Sequence, residues 1–236
     1  MIKRKIILVL VLAIQFSASA QLDKLLKKVT NSSSLSQAQI ENGLKEALDN
    51  GIQNQVSKLT AVDGFYKNDL VKILLPKELR AVDKGLRRIG MGSQADEGIK
   101  ILNRAAEDAV KTATPIFVDA VKNMSIDDAK NILLGNENAA TTYLETTTTE
   151  SLHQSFTPVI KNSFSKVGAD KVWSALISKY NSLPFVSKVN PDLTEYVTNE
   201  SLKGVFTMIE IEEKGIRQKA GLRNTDLLKQ VFALQD

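Results

Sequence analysis

Three observations predict an all-α fold. Apolar residues recur at three- and four-residue intervals over most of the chain, alternating strand-like stretches are scarce, and the breaks carry helix punctuation. We expect a single bundle-like domain of many helices over residues 36–236, with at most one short extended segment near 71–75. No internal repeat of fixed period stands out.

Each element has a local reason. Ser36 with Gln39 three residues on matches a capping box, and Ile40, Leu44, Leu48, Ile52 and Val56 behind it predict an amphipathic helix over about 37–59. Asp63-Gly64 marks a loop, and Val71 to Leu75 reads as a short strand or an extended approach. Pro76 suits the first turn of a helix that runs to Ile89 and ends at Gly90. From Ser93 a long helix is expected over about 94–123, kinked or split by Pro115. Ser125 with Asp128 caps a short helix that ends at Gly135. Helices then continue over Ala139–Glu145, Leu152–Val167 and Val172–Tyr180. The β-branched run Thr146–Thr149 is expected to break the first from the second. A final pair covers about 192–220 and 225–234, with Thr225 as the second cap.

The first twenty residues read as an address. Lys3, Arg4 and Lys5 precede the apolar run Ile6 to Ile14, and Ala18-Ser19-Ala20 offers a cleavage site, the layout of a secretory signal peptide. The apolar run is half the ~20 residues of a membrane-spanning helix. We therefore expect export to the periplasm or beyond, cleavage after Ala20 and no remaining transmembrane anchor. Residues 21–35 read as a short amphipathic segment and a flexible linker.

The whole chain has 31 Lys+Arg against 27 Asp+Glu, a formal charge of +4. Three of the positive charges and none of the negatives lie in the leader, so 28 basic residues face 27 acidic ones after it. No basic footprint for nucleic acid is left. There is no cysteine, so neither disulfides nor thiolate metal centres are available.

The lone histidine, His153, cannot build a His-rich metal site and has no assignable nucleophile; an exposed helix position or a cap suits it. Gly90-Met91-Gly92 lacks the third glycine of a dinucleotide loop. Glu210, Glu212 and Glu213 are too close on one helix, about 100° apart per residue, and lack a sugar platform for glycoside chemistry. Phe156, Phe164, Trp173 and Tyr180 fall at helical spacings and are assigned to the core. No cofactor is expected.

Helical projection does single out polar residues. Ile99, Leu102, Ala106, Val110, Ala113 and Phe117 share a stripe that contains Asn103, with Glu107 at its edge and Arg104 further out. Leu202, Phe206, Ile209, Ile216 and Ala220 share another. Glu213 lies in its middle, with Arg217 and Glu212 at its edges. A carboxylate in an apolar stripe must be paired, hydrogen-bonded or protonated. We expect Asn103, Glu107, Glu213 and Arg217 to meet in one polar cluster, closed from the side by Arg104. It would either fix helix register or floor a ligand cleft.

Several stretches occur together in order: Leu75-Pro76, Asn103-Arg104-Ala105-Ala106-Glu107, Ala139-Ala140-Thr141, Tyr196-Val197-Thr198, Glu212-Glu213 with Ile216-Arg217, and finally Leu227-Leu228 and Val231-Phe232. On this ordered set the chain resembles the bacterial family called domain of unknown function 4197, over about Leu35 to Phe232. The resemblance implies an exported, mainly helical envelope protein. It implies no activity and carries over no catalytic residues.

The functional expectation is a non-catalytic binding or scaffolding protein of the cell envelope, recognising a partner through a helical groove. The partner itself is not legible; an envelope protein, a small anionic ligand or an apolar ligand are the candidates. Two alternatives stay open. One is a hydrolase or lyase with Glu107 and Glu213 as acid and base and Arg217 on an anionic substrate. The other is a lipid or apolar-ligand carrier with a continuous cavity between helices.

Overall fold

The structure is a computed structural model that describes residues 36–233, apart from 89, 91, 191 and 224 and the side chains of 86 and 176. The expected leader and the segment 21–35 lie outside the described residues. Nine α-helices make up the described chain: α1 Gln37–Thr60, α2 Arg80–Arg88, α3 Gly92–Val110, α4 Ala113–Lys122, α5 Ile126–Leu134, α6 Ala139–Lys166, α7 Ala169–Asn181, α8 Thr194–Gln218 and α9 Asp226–Phe232. Short 3₁₀ turns at Lys77–Leu79 and Ala220–Leu222 lead into or out of them, and no strand occurs among the described residues.

The predicted caps form. Ser36 and Gln39 close a reciprocal capping box at the start of α1, and Ser125 and Asp128 do the same for α5. The Thr225 hydroxyl accepts the Leu228 N–H at 3.2 Å to start α9. Pro76 caps the 3₁₀ turn that becomes α2, and Gly90 follows that helix in the left-handed region at φ 82.

The four long helices hold the core. α6 lies along α8, α3 packs on both, and α1 packs on α8 and α3. α4 bridges α1 and α6, α5 sits between the same two helices, α7 leans on α6, α2 on α3, and α9 on α1. Phe65, Phe117 and Phe156 are fully buried in the centre with Leu44, Ile52, Leu102, Leu144 and Ile160. Phe117 and Phe206 meet edge-to-face at 6.1 Å. A β-carbon at Gly98 would lie 2.6 Å from the Trp173 ring, so a glycine on α3 lets the indole of α7 seat there.

The expected long helix over 94–123 is split rather than kinked. The break falls at Lys111-Thr112, where the Thr112 hydroxyl donates to the Ala109 carbonyl at 2.8 Å. Pro115 thereby sits in the first turn of α4, where a missing N–H costs no helical hydrogen bond.

The expected break at Thr146–Thr149 does not occur; α6 runs unbroken for 28 residues. Each threonine hydroxyl donates to the carbonyl four residues back: Thr146 to Thr142, Thr147 to Tyr143, Thr148 to Leu144 and Thr149 to Glu145, at 2.6–2.8 Å. The polar groups that would otherwise compete with the helix are used up inside it. Pro158 also lies within α6, flanked by the buried Phe156 and Ile160 that anchor both sides of the missing N–H.

Candidate functional site

Of the polar residues predicted from the two stripes, Asn103, Glu107 and Glu213 are buried and Arg104, Glu212 and Arg217 are half-buried, and they form two sites, not one. Among the described residues no hydrogen bond or ion pair joins the Asn103–Arg104–Glu107 group to the Glu212–Glu213–Arg217 group. Helical projection gives the face on which a residue lies and nothing about what faces it. Both groups turn out to bind backbone.

The first site holds the segment between α1 and α2. Its only regular feature is alternation: Val71, Ile73 and Leu75 point inward while Leu70 and Leu74 are exposed. Among the described residues no neighbouring strand takes its hydrogen bonds, and the side chain of Asn103 takes that place. The Ile73 N–H donates to Asn103 Oδ1 and Asn103 Nδ2 donates to the Ile73 carbonyl, both at 2.8 Å. The second amide hydrogen goes to the Ile99 carbonyl at 2.7 Å. The strand-like reading of 71–75 thus has a physical basis, with one carboxamide as its pairing partner. The Tyr196 hydroxyl donates to the next carbonyl, Leu74, at 2.8 Å, and burial pushes this phenol up to about 12.

Glu107 fastens the other end of the segment. Its Oε1 accepts the N–H groups of Phe65 and Tyr66 at 3.1 and 3.4 Å, and its Oε2 accepts from Arg104. Arg104 also reaches Asp63, whose other oxygen meets Lys67 Nζ at 2.8 Å. Lys67 first, and then Arg104, hold the Asp63 carboxyl below its ordinary range, while Glu107 raises the Arg104 guanidinium. Asp63 sits in the left-handed region at φ 68, so the ion pair also secures an unfavourable turn. Phe65 then enters the core beside Gly204 of α8, where a β-carbon would lie 2.8 Å from its ring.

The second site is a helix junction. Asn138, at the cap position just before α6, makes no side-chain cap. Glu213 of α8 supplies the cap from across the bundle. Oε1 accepts the Ala140 N–H at 2.9 Å, and Oε2 accepts both the N–H and the hydroxyl of Thr141 at 2.8 Å. The negative charge thus lies on the positive end of α6.

Arg217, one turn on, bonds Glu213 Oε1 through Nε at 3.0 Å and Nη2 at 2.8 Å. It also donates to the last-turn carbonyls of α5, Ile132 at 2.8 Å and Leu133 at 3.4 Å. The positive charge therefore lies on the negative end of α5. Glu212 faces away and accepts from Gln55 of α1 at 2.7 Å.

Beside this junction, Leu44, Leu48, Ile52, Ile209 and Phe232 line, together with Glu213 and Arg217, a partly open hollow of about 30 Å³, enough for roughly one water. Beside the first site lies an open concavity of about 430 Å³, where Lys67, Lys100 and Arg104 face Asp63, Asp96 and Glu97. Among the described residues no group of three His, Cys, Asp or Glu is placed to hold a metal ion, and no helix is long and apolar enough to cross a membrane. His153 is half-buried and meets Glu195 at 3.0 Å, linking α6 to the start of α8.

Asp63, Tyr196 and Gln55 were not singled out in the helical projections. Tyr196 stood in one of the resemblance stretches, and Asp63 in the loop signal Asp63-Gly64. The stretches that carry the resemblance turn out to be one another's partners: Asn103 and Tyr196 grip the approach to Leu75-Pro76, and Glu213 caps Ala139-Ala140-Thr141. No curated protein and no solved structure matches the chain. The model of the family described as "protein of unknown function (DUF4197)" matches residues 34–233, and the chain belongs to that family.

Proposed function

We propose that the protein is an exported, non-catalytic binding or scaffolding protein of the cell envelope. The observation that carries this reading is the full pairing of Glu107 and Glu213, the two carboxylates inside the apolar stripes. Glu107 and Glu213 each accept two consecutive backbone N–H groups and an arginine, which suits an architectural role. The hollow of about 30 Å³ beside Glu213 is far below the ~300–1,000 Å³ of a small-molecule pocket, which weighs against an apolar ligand at that junction. The concavity beside Arg104 carries balanced charge, which weighs against capture of an anion. A shallow polar groove of about 310 Å³ between α6 and α8, lined by Thr142, Glu145, Thr149, Asn199, Lys203 and Glu210, suits recognition of a partner along a helix pair.

The test compares the wild-type protein with Glu107→Gln and Glu213→Gln on a panel of esters, glycosides and phosphoesters, alongside thermal melts. The expected result is no turnover by any of the three, with lower melting temperatures for both variants. Turnover by the wild type that disappears in a folded Glu213→Gln protein would overturn the proposal. Export has its own check: protein isolated from the envelope fraction should begin at Gln21 by mass spectrometry, and an intact Met1 would refute cleavage.

A further inference from the structure

The loop after α7 is built around a side chain that no part of the fold uses. Phe185 stands fully in solvent, at 106% relative exposure, and its backbone is left-handed at φ 61. A bulky aromatic in that region is strained. Leu183 beside it is also exposed, at 54%, and Pro184 lies between them.

The loop is nevertheless held in shape. Asn181 Nδ2 donates to the Val189 carbonyl at 2.7 Å, and the Val189 N–H donates back to Asn181 Oδ1 at 2.9 Å. Leu183 N–H donates to the Tyr180 carbonyl at 3.0 Å. A two-point clasp thus closes the loop and leaves its apolar tip outside.

The chain on either side of the tip carries charge of one sign. Residues 171–190 contain Lys171, Lys179 and Lys188 and no acidic residue. Lys179 and Lys188 are exposed and flank the tip, with no ion-pair partner among the described residues. The nearest acids in sequence, Asp170 and Asp192, share a concavity with Lys171 and Trp173 along the first half of α7, at the end of the helix away from the tip.

We propose that the loop 182–188 is a lipid-docking tip, in which Leu183 and Phe185 enter the outer part of a bilayer while Lys179 and Lys188 meet anionic headgroups. Two features favour a lipid surface over a protein. The apolar residues form a narrow projection rather than a broad patch; Val172, the nearest large apolar side chain described as exposed on α7, is about 14 Å back along the helix axis. The flanking lysines match a surface of anionic headgroups, to which each basic residue near it adds attraction. The inference does not depend on whether the protein is a scaffold or an enzyme.

Vesicle flotation of the complete chain tests it, at low and at high salt. The vesicles are pure phosphatidylcholine in one arm and equal phosphatidylglycerol and phosphatidylcholine in the other. Wild type should float with the anionic vesicles more than with the neutral ones. Phe185→Ser should weaken that partitioning by about tenfold or more, because one buried aromatic side chain is lost. Lys179→Gln with Lys188→Gln should weaken it by about fivefold per lysine and flatten its salt dependence. All variants share one N terminus, so any contribution of the leader cancels in the comparison. Both sets of residues are exposed, so melting temperatures should stay at the wild-type value and vouch for the fold. Equal flotation of wild type and Phe185→Ser would overturn the proposal. So would a Phe185→Ser effect confined to self-association or to binding of another protein.

Discussion

Glu107 and Glu213 make the same bonds in different settings. Each takes two consecutive backbone N–H groups and one arginine from its own helix, three residues before in the first case and four after in the second. The difference lies in the arginine. Arg104 is one-third exposed and shares its charge with a second carboxylate, Asp63. Arg217 is 8% exposed and spends its remaining donors on the carbonyls of α5. The Glu107 site is therefore a wet-edged clasp on a loop, whereas the Glu213 site is a more deeply buried rivet through three helices. Removing one partner should hurt most where water cannot replace it.

Glu213→Leu should produce the largest effect. It strands Arg217 in the interior and uncaps α6, and loss of one partner of a buried pair costs about 3–5 kcal/mol. Arg217→Met added to it should recover part of that loss, since no buried charge then remains unpaired. Denaturant melts of the single and double variants check both. If Glu213→Leu costs no more than Glu107→Leu, the contrast between the sites is wrong.

Asn103→Ala should come next, at about 1–3 kcal/mol, by leaving the buried Ile73 amide and carbonyl without a partner. Its signature is local: hydrogen exchange at Ile73 should quicken before the core helices respond. Equal acceleration over the whole chain would mean that the segment is not a separate clasp.

The smallest effects concern pH, and they have opposite signs. Asp63 has its carboxyl lowered by Lys67 and Arg104, so its contribution to stability is present above the ordinary value of 3.8 and fades as pH falls through the depressed one. Asp49 on α1 is the reverse. Burial raises its carboxyl against the pull of Lys45, and its Oδ1 has no partner, so its ionisation penalises folding as pH rises past 3.8 and through the raised value. Asp63→Asn should thus lower the melting temperature at pH 7 and Asp49→Asn should raise it. Both differences should shrink toward pH 3. Melts across that range decide it.

What was legible in the sequence follows from what hydrogen bonds need. Caps at Ser36, Ser125 and Thr225 are local contracts between a side chain and amides three residues away, so they can be read without the fold. Asn103, Glu107 and Glu213 were visible as polar residues where packing calls for aliphatic ones. Their partners were not, because a backbone amide has no letter of its own: the N–H groups of Phe65, Tyr66, Ile73, Ala140 and Thr141 look the same as any others in the chain. Two separate sites therefore look like one in the sequence. The threonine run misled for a related reason. Its β-branching argues against helix, but its hydroxyls find acceptors within their own turn, and propensity scales average over that outcome.

The cap that Glu213 places on α6 comes from 72 and 73 residues downstream. The start of α6 therefore stays unfinished until the helix α8 has been made. A version truncated before α8 would lose this cap, the Tyr196 bond to Leu74 and the seat of Phe65 beside Gly204 in a single cut. Such a fragment should fail as a whole instead of surviving as a smaller bundle, which gives a quality-control protease an all-or-nothing decision.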